Sequence, residues 1–329
     1  EKIIGTNAKG EMFIFSRNDN GLIKVNSNLN KIYKKQNYKG KITPQYVGAF
    51  SVKDIFYDKT NEKLLASILH ESKDGKPCYG MAIYEAKIPL SFNEKSNLDF
   101  QLYFRTENCN SHFNGHASGG RIKRMNDNII FTIGDLDHNL KGDRKIPQNT
   151  STAIGKIIAI KPNKDFEVLS MGHRNPQGLT ILNDRIFITE HGPTGGDEIN
   201  FIPGNKSHFG WPFFAYGFGS DYSIIEKDKG RESYEESLFY FSPSIGISEI
   251  IYYQGKEFPY WEDKFIVLSM KDKSFFVLDY DKDKNRIISS ERIYIGHRLR
   301  DISIYPDGKI VLITDDKKIL YLSNNNIDN

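Results

Sequence analysis

Short apolar runs set between polar turn formers recur along the chain in one pattern. A polar or turn residue leads into a run rich in Ile, Phe and Val, and polar residues close it. The pattern reads KGEMFIFSRND from Lys9, NEKLLASILHE from Asn61 and NDNIIFTIGD from Asn126. It returns as NDRIFITEHG from Asn183, EDKFIVLSMKD from Glu262 and DGKIVLITDD from Asp307. Each run has the length, the β-branched and aromatic content and the flanking turn residues of a strand. The starts lie 52, 65, 57, 79 and 45 residues apart, near the length of one four-stranded propeller blade. Six copies predict an all-β fold, a six-bladed β-propeller, with residues 1–329 forming a single domain. A pair of β-sandwiches is the plainer alternative, but it gives no reason for six similar units. No heptads or long amphipathic helices compete. The glycine-, tyrosine- and charge-rich stretch Tyr216 to Phe241, inside the longest interval, reads as an excursion rather than core.

A propeller runs equivalent strands the same way in every blade, so the residues just after the runs are expected on one face. These are Asp135, His191 with Gly192 and Pro193, Lys271 and Asp315. Polar groups converging on an axial cavity make a default ligand site.

Composition narrows the class. The 45 basic and 42 acidic residues nearly cancel, which argues against the strongly basic surface of a nucleic-acid partner. Aromatics make up 13% of the chain and lie throughout it, which excludes intrinsic disorder. The longest apolar runs fall far short of a membrane span. Cys78 and Cys109 are the only cysteines. A bridge between them would close a loop of roughly 30 residues, worth about 3 kcal/mol in the chain-entropy model; two buried thiols are the alternative. The chain starts at Glu1 without methionine, so export after removal of a leader is an expectation.

Several stretches carry chemistry. HASGGRIKRMNDNIIFTIGD places His116 before a glycine-rich turn and returns to Asp135 through a strand. Such a hairpin can bring an Asp to a His, orienting the ring and raising its basicity; a surface loop histidine is the plainer reading. In GHRNPQGL, Pro176 restricts Asn175 before it, so Arg174 and Asn175 are presented from a rigid loop suited to an anionic or carbonyl-rich ligand. EHGPTGGDEIN combines backbone-exposing Gly and Pro with Asp197 and Glu198, oxygen ligands of the kind Ca2+ takes, although solvated loop acids are commoner. Arg298 and Arg300 stand two apart, so on a strand they share a face and can grip one polycarboxylate, with Lys271 as a third positive charge. Cys109, His112 and His116 read as C-x2-H-x3-H, a weak zinc pattern with His138 available as a fourth ligand. The serine-hydrolase elbow and the Rossmann and P-loop glycine patterns are absent.

Together these segments resemble the soluble quinoprotein sugar dehydrogenases, the PQQ-dependent glucose, aldose-sugar and sorbosone dehydrogenase family. The likeness runs in order through H-x-S-G-G-R-I, T-I-G-D, S/T-x-x-G-K-I at Ser151 to Ile157 and G-H-R-N-P-Q-G. It continues through E-H-G-P-x-G-G-D-E-I-N, F-G-W-P at Phe209, F-P-x-W at Phe258, L-S-M-K, R-x-R-D and P-D-G. It covers most of the chain after residue 110 and is weak before it. The family fold is a six-bladed propeller. The resemblance implies that His116 is the base taking the sugar's anomeric hydroxyl proton while hydride passes to the quinone, with Asp135 orienting it. It sets Arg174 and Asn175 beside the quinone oxygens and gives the cofactor's carboxylates to Lys271, Arg298 and Arg300. Backbone carbonyls of Gly192 and Pro193 match ligands of the catalytic Ca2+, and Asp197 and Glu198 fall where some members bind a structural Ca2+.

Two departures stand out. The counterpart of a glutamine-bearing, cofactor-touching segment, VGAFSVKDIFYD from Val47, has no Gln, and His116 stands one residue farther from Arg121 than in the commonest H-x-G-G-R form. They make weakened cofactor affinity and turnover an expectation. The reading that follows is an exported, periplasmic-type PQQ- and Ca2+-dependent dehydrogenase. It would oxidise an aldose, a related polyol or an aldehyde and pass electrons to a separate acceptor. The rival from another class is a non-catalytic propeller binding a carbohydrate or protein partner on its axial face. A third is a Ca2+-dependent propeller lactonase, which would want several carboxylate or Asn side chains around one metal.

Overall fold

The polar pair ahead of each apolar run is a turn that forces the chain back on itself. At all six places at least one residue there takes a positive φ: Gly10, Glu62, Asn126, Asn183 with Asp184, Asp263 and Gly308. Gly, Asn and Asp tolerate that conformation best, which is why these residue types recur ahead of the runs. The run that follows is in every case the second strand of its sheet. It is covered on both faces, so it reads as continuous rather than alternating apolar sequence; Ile129, Ile130, Phe131 and Ile133 are all at most 1% exposed.

The computed structural model describes residues 2–16, 21–36, 51–71, 79–89, 92–93, 95–106, 115–136, 146–204, 206–219 and 233–324. Cys78, Cys109, His112 and His138 lie outside them, and with them the bridge and zinc readings. The chain is all-β, a six-bladed β-propeller, and its contacts divide it into two units, Glu1–Pro176 and Gln177–Asn329.

In the first unit, the first sheet comprises Lys2–Thr6, Met12–Ser16 and Gly21–Ser27, to which Asn97–Leu98 adds in parallel. The second comprises Val52–Asp58, Lys63–Glu71, Tyr79–Lys87 and Gln101–Arg105. The third comprises Gly119–Met125, Asn128–Ile133, Lys156–Ile160 and Phe166–Met171. The one α-helix among the described residues, Leu29–Lys35, is two turns long. The second unit holds a fourth sheet of Pro176–Leu182, Arg185–Glu190, Asp197–Ile202 and Phe239–Phe241. Its fifth sheet is Ile247–Tyr253, Lys264–Ser269, Ser274–Asp281 and Arg286–Tyr294, and its sixth Leu299–Ile304, Ile310–Thr314 and Ile319–Leu322.

Apolar side chains of neighbouring sheets interdigitate within each unit. Leu65, Met81 and Ile83 of the second sheet pack with Ile122, Phe131 and Ile158 of the third. Phe187 and Ile199 of the fourth pack with Phe265 and Leu278 of the fifth. Burying each such side chain is worth about 1.5–3 kcal/mol, so these faces supply the main cohesion. Two ion pairs also tie the second sheet to the third. Arg124 grips Asp58 with two bonds of 2.7 and 2.5 Å, and Arg121 meets Asp54 at 3.2 Å while the Ile122 amide donates to the same carboxylate at 2.8 Å. All four residues lie along the first strands of their sheets, so these bonds set the height of one strand against the other.

Candidate active site

The hairpin carrying His116 contains a bulge. Ile122 opposes Phe131 and Gly119 opposes Ile133, so Gly120 and Arg121 together face the single residue Thr132. Thr132 resolves the mismatch with its fully buried hydroxyl, which accepts from the Gly120 amide at 3.1 Å and the Arg121 amide at 2.9 Å. The same hydroxyl donates to the Pro176 carbonyl at 3.1 Å. The long spacing from His116 to Arg121 is therefore built into the sheet as an ordered bulge.

His116 itself is exposed, in the 3-10 turn Gly115–Ala117. The residues flanking it bond to the residues flanking Asp135: Gly134 donates to the Ser118 carbonyl at 2.9 Å, and Leu136 to the Ala117 carbonyl at 2.8 Å. The expected approach of Asp135 to His116 is thus made by the backbone, and Asp135 is fully buried there. The loop from GHRNPQG closes on the same place. Asp135 donates its amide to the Arg174 carbonyl at 2.8 Å, and the Gly119 amide donates to Asn175 Oδ1 at 3.1 Å. Asn175 is 6% exposed and Arg174 half-buried. Lys53 adds a bond from the second sheet, its ammonium donating to the Gly115 carbonyl at 3.0 Å. His116, Asp135, Arg174 and Asn175 are therefore one constellation in the first unit.

Next to Gly155, whose amide donates to the Gly134 carbonyl at 3.0 Å, lies Lys156, a fully buried residue of the S/T-x-x-G-K-I segment. Its ammonium donates to the carbonyls of Ile146, Pro147 and Ile154 at 3.1, 2.8 and 2.8 Å. Burial pushes its pKa down to about 7.

In the second unit the loop from His191 to Gly196 is shaped by Asp197. One carboxylate oxygen accepts from the Gly192 amide at 3.2 Å and the other from the Ile247 amide at 2.9 Å, with His191 Nδ1 at 3.7 Å. Burial works against the charge, but His191, Ser244 and the Ile247 amide outweigh it and hold the carboxyl at about 2. Gly192 must be glycine, because a Cβ there would overlap the Gly195 carbonyl oxygen. The carbonyl-rich stretch with Gly192 and Pro193 is thus a pinned loop.

Glu198 is next in sequence but on the other face of its strand. Its Oε2 accepts from Asn200 Nδ2 at 3.1 Å and Ser237 Oγ at 3.0 Å, and Glu190 is its direct cross-strand neighbour. Burial, then the Glu190 charge, pushes the Glu198 carboxyl up to about 8. Buried Asn200 Oδ1 has no hydrogen-bond partner. The structure therefore separates Asp197, a loop tether, from Glu198, part of an oxygen-rich cluster. No group of three or more His, Cys, Asp or Glu side chains suited to a metal occurs among the described residues.

Arg298 precedes the strand Leu299–Ile304 and Arg300 lies in it at a register shift, and Asp315 collects both. Arg298 Nε donates to Asp315 at 2.7 Å, and Arg300 donates through Nη2 at 3.1 Å and also through Nε. Burial raises the Asp315 pKa, but the two guanidiniums prevail and hold it below the usual carboxylate range. Arg298 also reaches Met270 Sδ at 4.0 Å, beside the exposed Lys271. Two guanidiniums thus share the one Asp315 carboxylate.

Sequence reasoning missed Thr132, Lys53 and Lys156 as supports of the site. Only Lys156 left a signal, as a lone lysine entering the apolar run IIAI.

Comparison with known proteins agrees with this architecture. The family model described as Glucose / Sorbosone dehydrogenase matches residues 59–321. The aldose sugar dehydrogenase YliI of Escherichia coli is 34% identical over 240 residues, which are 66% of this chain and 62% of that protein. Quinoprotein glucose dehydrogenase B of Acinetobacter calcoaceticus is 31% identical over 133 residues, 32% of this chain and 27% of that one. The apo form of the soluble aldose sugar dehydrogenase of Escherichia coli superposes with a TM-score of 0.78 at 22% identity, covering 97% of this chain and 91% of that one. The PQQ domain of pyranose dehydrogenase from Coprinopsis cinerea gives 0.62 at 10% identity, covering 98% and 92%. These two structural likenesses establish the fold, and the match over residues 59–321 establishes the lineage: the chain belongs to the glucose/sorbosone dehydrogenase family.

Proposed function

We propose that this chain is a PQQ- and Ca2+-dependent dehydrogenase oxidising an aldose or a related sugar or polyol, with electrons leaving to a separate acceptor. The observation that carries the reading is the backbone clasp holding exposed His116 beside buried Asp135, in a chain of this family. When bound, PQQ supplies a two-electron acceptor for the substrate's hydride, and Ca2+ a Lewis acid.

The chain's own residues do the rest. An imidazole nitrogen of His116 takes the proton of the substrate hydroxyl, and Asp135 orients the ring. Arg174 places positive charge where negative charge develops, and Asn175, fixed through the Gly119 amide, stands beside it. Lys271, Arg298 and Arg300 hold the cofactor's carboxylates, a role supported by the shared grip of both arginines on Asp315. The carbonyls of Gly192 and Pro193 would hold the catalytic Ca2+. A structural Ca2+ takes Glu198, joined by Glu190 and by Asn200, whose orphaned Oδ1 supports the assignment. On this reading the two units make one propeller domain of an exported, periplasmic-type protein. Among the described residues no helix is long and apolar enough to cross a membrane.

Calorimetric titration with PQQ tests the proposal. Saturable binding that requires Ca2+ is expected. Arg298→Ala and Arg300→Ala should each weaken it about tenfold or more, the worth of a charge-assisted hydrogen bond. Absence of binding would favour a non-catalytic propeller.

A further inference from the structure

The long interval between the fourth and fifth runs builds an aromatic platform that the redox site does not use. Tyr240 lies in the edge strand Phe239–Phe241, with Glu198 as its cross-strand partner. Tyr216 stacks on it with ring centroids 4.5 Å apart and planes 20° apart. One face of Tyr240 is therefore covered, yet the residue remains 47% exposed, so its other face is open. An open cavity of about 460 Å³ adjoins the pair, lined by Tyr216, Ser237, Leu238, Phe239, Tyr240 and Ser242. That volume is within the ~300–1,000 Å³ of ordinary small-molecule sites.

The lining is chemically selective. Among the described residues the lining has aromatic faces and hydroxyls but no charged side chain, so it offers little to phosphates or carboxylates. Flat apolar faces beside neutral hydrogen-bonding groups match a pyranose ring, which presents C–H bonds on its faces and hydroxyls around its rim. The Ser237 hydroxyl donates inward to Glu198 at 3.0 Å, which leaves its oxygen lone pairs to accept from a ligand hydroxyl.

The platform is also rigid before any ligand arrives. The Ser237 amide donates to the Tyr216 hydroxyl at 3.2 Å, and Phe214 meets Tyr216 edge-on at 5.3 Å. Phe214 in turn stacks with Tyr234 at 5.7 Å. Binding here would cost little side-chain ordering.

We propose that the Tyr216–Tyr240 platform is a saccharide-binding subsite, taking a glycosyl unit of a neutral oligosaccharide. The biological role of such a subsite rests on the sugar-dehydrogenase reading.

Saturation-transfer NMR and calorimetry on the whole chain without PQQ, with maltotriose and cellotriose as probes, test it apart from the redox reading. Binding of at least one trisaccharide is expected. It should weaken at least tenfold in Tyr240→Ala and change less than about threefold in Tyr240→Phe. A second control is Tyr260→Ala, which removes a tyrosine 88% exposed in the 3-10 turn Pro259–Trp261 and should leave binding unchanged. Oxidation of a monosaccharide by the cofactor-loaded protein should be the same in Tyr240→Ala as in the unaltered chain. Failure of both trisaccharides to bind would overturn the subsite, as would binding indifferent to Tyr240→Ala. Preference for a strand-forming peptide along the edge would overturn it too. Failure of PQQ to bind would leave the saccharide result standing.

Discussion

Gly134→Ala puts the architecture of the His116 clasp to a quantitative test. Gly134 precedes Asp135, and a Cβ built on it would overlap the Ala117 carbonyl oxygen, with the Ala117 carbon at 2.7 Å and the Arg174 oxygen at 2.9 Å. Neither carbonyl is at liberty to swing aside. Ala117 accepts from the Leu136 amide and Arg174 from the Asp135 amide, both at 2.8 Å. Relief means opening the clasp. Two backbone hydrogen bonds are worth about 0.5–1.5 kcal/mol each, and overpacking adds about 1–3 kcal/mol. The expected loss is therefore about 2–6 kcal/mol, which at about 2 °C per kcal/mol for a long chain lowers Tm by about 4–12 °C. A displacement of His116 against Asp135 by about 1 Å would also cost on the order of 10²-fold in turnover. Gly5→Ala is the control, since nothing lies within 4 Å of a Cβ there; its Tm should hold or rise slightly. Thermal melts and steady-state oxidation with PQQ and Ca2+ give both readouts. If Gly134→Ala melts and turns over like the unaltered chain, the clasp does not position the site.

Three further outcomes follow from the same structure. Thr132→Val strips two buried amides and one carbonyl of their shared partner. It should cost about 3–5 kcal/mol in urea unfolding, with Thr132→Ser recovering most of it. Lys156 gives a pH signature. Its folded pKa of about 7 lies below the ordinary lysine value of 10.5, so between those values the unfolded chain binds more protons and stability rises with pH. From pH 7 to 8.5 the unaltered chain should gain up to about 2 kcal/mol relative to Lys156→Met. No gain would mean that the three carbonyls keep the ammonium charged. Chelation should lower Tm if Glu190, Glu198 and Asn200 hold Ca2+, and saturating metal should restore about 2–4 kcal/mol by mass action. Asn200→Leu should abolish that metal response.

The six blades were legible because their second strands are buried on both faces and preceded by a left-handed turn residue. Both leave marks in local sequence. Arg298 and Arg300 meet on Asp315 although Arg298 precedes the strand and the register shifts at Arg300, so simple alternation does not account for their pairing. What could not be read were the supports acting across long separations. Lys53 reaches Gly115 from the strand of another sheet, and Thr132 meets Pro176 only because the bulge turns its hydroxyl inward. Such contacts depend on how sheets sit side by side, which no window of a dozen residues encodes. Asp197 and Glu198 are adjacent in sequence, but the strand begins at Asp197, so the two acids face apart. The glutamine-free segment gains a different meaning from its described part, where Lys53, Asp54 and Asp58 brace the strand that carries the site.

The most direct measurement of the central claim is the anaerobic absorbance of the protein with PQQ and Ca2+, followed as an aldose is added to the unaltered chain and to His116→Ala. The account predicts conversion to the reduced-quinone spectrum in the unaltered chain. It predicts conversion at least 10²-fold slower in His116→Ala, the scale of general-base catalysis, with PQQ still bound. Equal rates would contradict the role of His116, and no reduction by any aldose, polyol or aldehyde tried would contradict the dehydrogenase itself.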